Sequence, residues 1–204
     1  RKVVEVEHGA VANVLSQAQS LLSVSADDCY LAVATLSFDI SVVELFLLLM
    51  IGGKLVLRDK KLLLDPPALA SLVREASVSI VQTGPSVWSV LINEVPDFPT
   101  VRVAISTGEA ISPEVALRLS KIAEESWNFY GPTEATIWAT GFRLSHKGQV
   151  EDSWSGISAP IGCIVDGLTA RICDAQGREV EPGERGELWI GGAGVARGYC
   201  GQVE

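Results

Sequence analysis

From about residue 8 to 142 the chain alternates between helical and strand patterns of hydrophobicity, and no other feature narrows its fold as much. "HGAVANVLSQAQSLL" carries apolar residues at helical spacing, and "CYLAVATLSFDI" reads as a strand running into a loop. "SVVELFLLLMIGG" is a helix ended by Gly52 and Gly53, followed by the short strand "KLVLR". The cycle then repeats. Asp65, Pro66 and Pro67 open the helix "PALASLVREA", and "VSIVQT" is a buried strand. The helix "PSVWSVLINEV", the strand "VRVAIST" and a helix opened by Ser112, Pro113 and Glu114 complete the series. Continuously apolar strands between amphipathic helices predict an α/β fold whose parallel sheet is flanked by helices on both faces.

Ligands of such sheets sit beyond the carboxyl ends of the strands. Phe38-Asp39, Gln82-Thr83, Thr107-Gly108-Glu109 and Phe129-Tyr130-Gly131 all fall at predicted strand ends. After about residue 142 the texture changes. "SHKGQVEDSWSGISAPIG" is polar and rich in glycine and serine, as a linker or surface loop is. Beyond it, "LTARICDAQGREVEPGERGELWIGGAGVARGY" has the short alternating runs and turns of β-hairpins. The expected organisation is an α/β unit over 1–142, a linker over 143–159, and an incomplete β-rich, partly barrel-like piece over 160–204.

Composition excludes several function classes. With 16 basic and 25 acidic residues the formal charge is −9, which argues against a nucleic-acid partner. The longest apolar run, "LFLLLMIGG", is far short of the roughly 20 residues of a membrane span. The opening "RKVVEVEHGA" does not read as a signal peptide. Cys29, Cys163, Cys173 and Cys200 share no metal-type spacing, so they read as buried or incidental thiols of a reducing, cytoplasmic compartment.

The densest chemistry lies in "NFYGPTE". Gly131 and Pro132 force a turn directly after an apolar strand and leave backbone N–H groups pointing one way. Thr133 adds a hydroxyl donor suited to a phosphate oxygen, Tyr130 a stacking face. Glu134 suits a magnesium ion, which takes one or two carboxylates plus substrate phosphates. Taken alone, the same residues also describe a tight turn with a tyrosine packed over it.

Three further strings accompany this one: "LSFDISVVELFLLLMIGGKLVL", "STGEAIS" and "GERGELWIGGAGVARGY". Together, in order and spacing, they resemble the adenylation domains of nonribosomal peptide synthetases, members of the adenylate-forming, AMP-binding ligase superfamily. The resemblance runs from "KVVEVEH" to "GVARGY". It implies a flavodoxin-like subdomain and the conversion of an amino acid and ATP to aminoacyl-AMP and pyrophosphate. It also implies delivery of the acyl group to the phosphopantetheine thiol of a carrier protein. By resemblance, Asp39 holds the α-ammonium of the amino acid, with a helix cap for "SVVELF" as a second role of the same side chain. Asn128 and Tyr130 are the adenine contacts, the backbone near Gly108 and Glu109 closes that pocket beside Gly131, Thr133 meets the α-phosphate and Glu134 binds magnesium. His8 is a structural position in the family. The implied partners are the carrier and condensation domains of a synthetase and, in some members, an MbtH-like accessory protein.

Family members select the side chain with a set of pocket positions. Here they fall at Asp39, Ile40, Val43, Gln82, Ile105, Thr107, Phe129, Ile137 and Trp138. The string D-I-V-Q-I-T-F-I-W resembles the glycine-type pattern D-I-L-Q-L-G-L-I-W, with departures that include Thr107 and Phe129. Gln82, Phe129 and Trp138 are bulky and leave room for glycine first and alanine next. Trp138 also reads as an ordinary core aromatic, and Trp88, Trp127, Trp154 and Trp189 as packing residues.

The family's glycine-rich phosphate loop would precede residue 1, with only Lys2 matching its end. The ribose-binding acid and the C-terminal lysine subdomain would follow Glu204. Two expectations result: a central piece of an aminoacyl-adenylating ligase, inactive in isolation, or a substrate-recognition or scaffold module without chemistry. A nucleotide-binding dehydrogenase is a distant third, because the glycines of "GGAGVARGY" sit in a hairpin-like stretch.

Overall fold

The computed structural model describes residues 3–147, 149–150 and 156–201, apart from the side chain of Lys60. Lys2 and Trp154 lie outside the described residues. The chain runs β1 (Val4–Glu5), α1 (His8–Leu21), β2 (Cys29–Ala32), α2 (Ile40–Ile51) and β3 (Lys54–Leu57). It continues through α3 (Pro66–Glu75), β4 (Ile80–Thr83), α4 (Pro85–Glu94), β5 (Val101–Thr107), α5 (Pro113–Ile122) and β6 (Ala123–Tyr130). Then follow β7 (Thr140–His146), β8 (Gln149–Val150), β9 (Cys163–Ile164), β10 (Leu168–Cys173), β11 (Glu187–Gly192) and β12 (Gly198–Tyr199). Single 3-10 turns lie at Lys60–Leu64 and Thr133–Ala135.

The helix boundaries follow from local chemistry. Asp65 accepts a hydrogen bond from the Ala68 N–H, and Ser112 one from the Val115 N–H, each just ahead of a proline in the first turn. Gly52 ends α2 at φ +80°, a left-handed conformation that glycine enters without a Cβ penalty.

The main sheet has the order β3-β2-β4-β5-β6-β7-β8, with β9 also paired to β7. β3, β2, β4, β5 and β6 are mutually parallel, as the crossover helices require. The sheet is not parallel throughout, however: β7 runs antiparallel to β6, and β8 and β9 antiparallel to β7. The segment between Tyr130 and Thr140 contains no crossover helix, only a single 3-10 turn, so the chain reverses beside the strand it has just left. The expected parallel sheet is present from β3 to β6, and the antiparallel β7, β8 and β9 make the whole sheet mixed.

Two apolar layers cover the sheet. Leu69, Val73, Trp88, Leu91 and Leu119 from α3, α4 and α5 pack with Leu31, Val81 and Ala104 on one face. Val14, Leu15, Leu47 and Leu48 from α1 and α2 pack with Tyr30, Ile80, Val103 and Phe129 on the other. Alternate strand residues feed opposite layers, as the two-residue period of a strand dictates. At the base, Arg102 grips Asp28 through two hydrogen bonds of 2.8 and 2.7 Å and donates a third, of 3.0 Å, to the Leu22 carbonyl.

The β-rich end is a hairpin of β10 and β11. β12 returns to pair with β1 near the start of the chain. No closed barrel is present among the described residues. No helix among them is long and apolar enough to cross a membrane.

Candidate functional site

Because β2 to β6 are parallel, their carboxyl ends share one rim, and the loops leaving them meet there. Two cavities open along it. The first, of about 250 Å³, is lined by residues that include Phe38, Ile40, Glu44, Gln82, Thr107, Gly108 and Glu109. The second, of about 360 Å³, is lined by Gly108, Glu109, Asn128, Phe129, Tyr130, Gly131 and the stretch around Ala159. Gly108 and Glu109 form the wall between them, and Gly108 turns there at φ +85°.

Asp39 and Thr133 meet at this rim. The Thr133 hydroxyl donates to Asp39 Oδ2 at 2.6 Å. Asp39 precedes α2 but makes no side-chain cap bond, so the cap reading is not realised and the carboxylate serves Thr133 instead. Glu134, exposed in the same turn, accepts a hydrogen bond from the Tyr199 hydroxyl, and its carbonyl accepts from the Ala196 N–H at 2.7 Å. The bond to Glu134 also raises the Tyr199 phenol above its ordinary pKa.

The turn itself is tightly wound. A Cβ on Gly131 would stand 2.4 Å from the Ile137 carbonyl oxygen and 2.7 Å from the Ala139 nitrogen, so only glycine fits. Thr136 and Ile137 both adopt positive φ, +57° and +72°. That is a strained conformation for β-branched residues. A bond of 2.8 Å from the Ala139 N–H to the Tyr130 carbonyl closes the base of the loop.

The residues named from the sequence divide into groups. Ile40, Gln82 and Thr107 line the first cavity. Gly108, Glu109, Asn128, Tyr130 and Gly131 line the second, with Phe129. Val43, Ile105, Ile137 and Trp138 are buried in the apolar layer beneath, together with Phe129. There Trp138 stacks on Phe129 with ring centroids 4.1 Å apart, and Phe129 stacks on Trp127 at 5.6 Å. Asn128 donates one amide hydrogen to the Pro160 carbonyl at 2.8 Å. The Glu109 carboxylate accepts from the Ser86 hydroxyl at 2.8 Å, at the start of α4.

Sequence reading gave no role to Glu44, Tyr30 or Tyr199. Glu44 is 1% exposed in α2; one carboxylate oxygen accepts from the Ala34 N–H at 2.8 Å and the other has no partner. Burial pushes its carboxyl up to about 7, against the pull of that N–H, the Val33 N–H and the Arg58 charge. Tyr30, fully buried, donates to Gln82 Oε1 at 2.6 Å, and burial together with the Glu44 charge holds its phenol well above the ordinary range. Gln82 Nε2 and Trp138 Nε1 are buried without a partner. An acid inside the apolar run "SVVELFLLL" is a signal that periodicity alone could have flagged.

No cluster of three or more metal-ligating side chains occurs among the described residues. Glu134 offers one exposed carboxylate in the turn after β6. That fits a magnesium ion whose remaining ligands are phosphates and waters, and does not fit an all-protein cage.

A family model described as "AMP-binding enzyme" matches residues 1–200. The chain belongs to that family. It is 34% identical over 199 residues to the dimodular nonribosomal peptide synthase of Bacillus subtilis (strain 168), a match covering 97% of this chain and 8% of that protein. Over 209 residues it is 34% identical to pyochelin synthetase PchE of Pseudomonas aeruginosa (strain UCBPP-PA14), covering 100% and 14%. Among solved structures it resembles holo-AB3403, a four-domain nonribosomal peptide synthetase bound to AMP and glycine. The TM-score is 0.85 at 30% identity, over 97% of this chain and 14% of that one. The AMPPNP-bound form of the nonribosomal peptide synthetase FmoA3 (S1046A) gives a TM-score of 0.88 at 26% identity, over 100% and 22%. The chain therefore spans less than a quarter of these relatives and neighbours. Within the AMP-binding family its relatives are synthetase adenylation domains, and its mixed sheet flanked by helices matches their N-terminal subdomain. In this adenylation-domain segment the turn after β6 holds the "YGPTE" string.

Proposed function

We propose that this segment belongs to a domain that activates a small amino acid, glycine first and alanine next, with ATP. The products are aminoacyl-AMP and pyrophosphate, and the acyl group then passes to the phosphopantetheine thiol of a carrier domain. The observation that carries the reading is the 2.6 Å contact between Thr133 and Asp39. An aminoacyl-adenylate has its ammonium only a few bonds from its phosphorus. A carboxylate for the one and a hydroxyl for the other must therefore lie side by side.

In the reaction the substrate carboxylate oxygen attacks the α-phosphorus, and the bond to the β-bridging oxygen breaks with pyrophosphate carrying away the electron pair. No protein nucleophile is needed; the residues position two anions and offset their charge. Asp39 pairs the ammonium, Thr133 donates to an α-phosphate oxygen, and Tyr130 offers a ring to the adenine beside Asn128 in the second cavity. Glu134 would hold magnesium, which supplies charge neutralisation on the phosphates.

Glycine selectivity is supported by how bulky the side chains at the pocket positions are and how firmly they are held. Phe129 and Trp138 are each 2% exposed and stacked face to face, and Gln82 is held by Tyr30. A larger side chain would have to displace these groups.

The test is amino-acid-dependent pyrophosphate exchange by the full-length protein across the small amino acids. Glycine-dependent exchange is expected, with alanine weaker. Binding of amino acid and AMPPNP without exchange would instead identify a recognition module that does no chemistry.

A further inference from the structure

We propose that Tyr199 is a positioning residue for the Glu134 carboxylate, fixing its plane for a magnesium-bound nucleotide. The inference rests on the reading of Glu134 as the metal-facing acid. It adds a residue, 65 positions further along the chain, whose hydroxyl donates to Glu134 Oε1.

Such a bond bears directly on how Glu134 is oriented. It lies in a 3-10 turn of three residues and is exposed, so its own turn gives the long side chain little packing. Ordering its three side-chain torsions costs entropy, and the bond from the phenol contributes to that ordering. Magnesium tolerates little departure from octahedral geometry, so the direction of a carboxylate lone pair matters more than for a larger cation. Groups that hydrogen-bond a metal ligand set that direction.

β12 is built to deliver the bond. Its Ala196 neighbour donates to the Glu134 carbonyl at 2.7 Å, so main chain and side chain of Glu134 are held by one short segment. That segment is itself anchored: Tyr199 and Gly198 pair with Val4 and Glu5 of β1, and the Cys200 N–H donates to the Val3 carbonyl at 2.8 Å. Arg197 adds an ion pair to Glu7 at 2.9 Å. The phenol O–H donates and the carboxylate oxygen accepts. The glycine-rich string "GGAGVARGY" thus leads into the strand that meets Glu134.

The experiment is calorimetric binding of AMPPNP to the full-length protein, with and without magnesium, for wild type, Tyr199→Phe and Glu134→Gln. Tyr199→Phe keeps the ring and removes one hydroxyl. It is expected to weaken magnesium-dependent binding by about 10-fold, at the lower end for loss of such a supporting bond. Magnesium-free binding and the melting temperature should stay at the wild-type values, and the Phe change should have no further effect in a Glu134→Gln background. Equal weakening with and without magnesium would mark Tyr199 as merely structural and overturn the proposal. So would unchanged binding in Tyr199→Phe while Glu134→Gln loses magnesium dependence. If Glu134→Gln itself leaves magnesium dependence intact, the underlying assignment of Glu134 falls, and the role of Tyr199 with it. Should the Phe variant fail to fold, Tyr199→Leu, which also lacks the hydroxyl, must give the same magnesium-specific loss or the proposal fails.

Discussion

The Thr133 hydroxyl and the Asp39 carboxylate, 94 residues apart in sequence, are joined by a 2.6 Å hydrogen bond at the rim of the sheet. On the proposed reading, these two groups satisfy one another until substrates arrive, and each then exchanges its partner for a ligand. Asp39→Asn keeps an acceptor for Thr133 but removes the charge. It should raise the amino-acid KM by about 10- to 100-fold, the loss of one charge-assisted bond, while the KM for ATP changes little. Pyrophosphate exchange by the full-length protein measures both. An equal rise in the two constants would contradict the division of roles.

Gly131 is irreplaceable on steric grounds. An alanine Cβ would lie 2.4 Å from the Ile137 carbonyl oxygen, so Gly131→Ala must push the loop open. Overpacking of this kind costs about 1–3 kcal/mol, or roughly 2–4 °C of melting temperature for each kcal/mol in a domain of this size. Thermal melts should show that loss, together with weaker AMPPNP binding.

Glu44 and Asp28 should tilt the pH dependence of stability in opposite directions. The Glu44 carboxyl is raised to about 7, chiefly by burial, from an ordinary 4.5. Its contribution is therefore complete below about pH 4.5 and is lost as pH climbs through 7. Glu44→Gln removes this slope, so its stability relative to wild type should improve by up to about 3 kcal/mol between pH 4.5 and 8. Chemical denaturation at several pH values reads this directly, and a constant difference would show that Glu44 titrates normally.

For Asp28, burial alone would raise the carboxyl, but Arg102, the Ser25 N–H and the Ser79 hydroxyl outweigh it and hold the pKa low. Here stability is present above the ordinary carboxylate value and disappears as pH falls through the depressed one. Arg102→Gln should therefore be destabilised at pH 7, and the gap should narrow below about pH 4.

Trp138 tests the selectivity. Its ring lies 4.1 Å from Phe129, and its indole nitrogen is buried without a partner. Trp138→Leu abandons no hydrogen bond and opens space. Exchange with alanine relative to glycine should rise by roughly 10-fold, the scale set by one or two methylene groups in an apolar pocket. An unchanged ratio would mean the ring does not border the substrate.

Much of the α/β framework was legible because each strand and helix declares its period locally: "VSIVQT" and "PALASLVREA" became β4 and α3 within a residue or two. The antiparallel turn of the sheet at β7 was not, since "TGFRLSH" does not state which way it runs; the lack of a crossover helix after Tyr130 decides that. The rim residues were found through motif and strand-end position. Glu44 could have been flagged as an acid inside an apolar run, whereas Tyr199 was missed because its partner, Glu134, is distant in sequence. The cap proposed for Asp39 failed for the same reason: Thr133, invisible to a local reading, claims its side chain.

The bond from Ala139 to Tyr130 and the close approach of Gly131 to Ile137 make the loop after β6 one mechanical part. Tyr130, Thr133 and Glu134 sit on that part, and so do Ile137 and Trp138. On the proposed reading, point changes made to retune selectivity would therefore disturb nucleotide binding as well. An engineer wishing to swap preferences should transplant residues 128–139 as a single cassette.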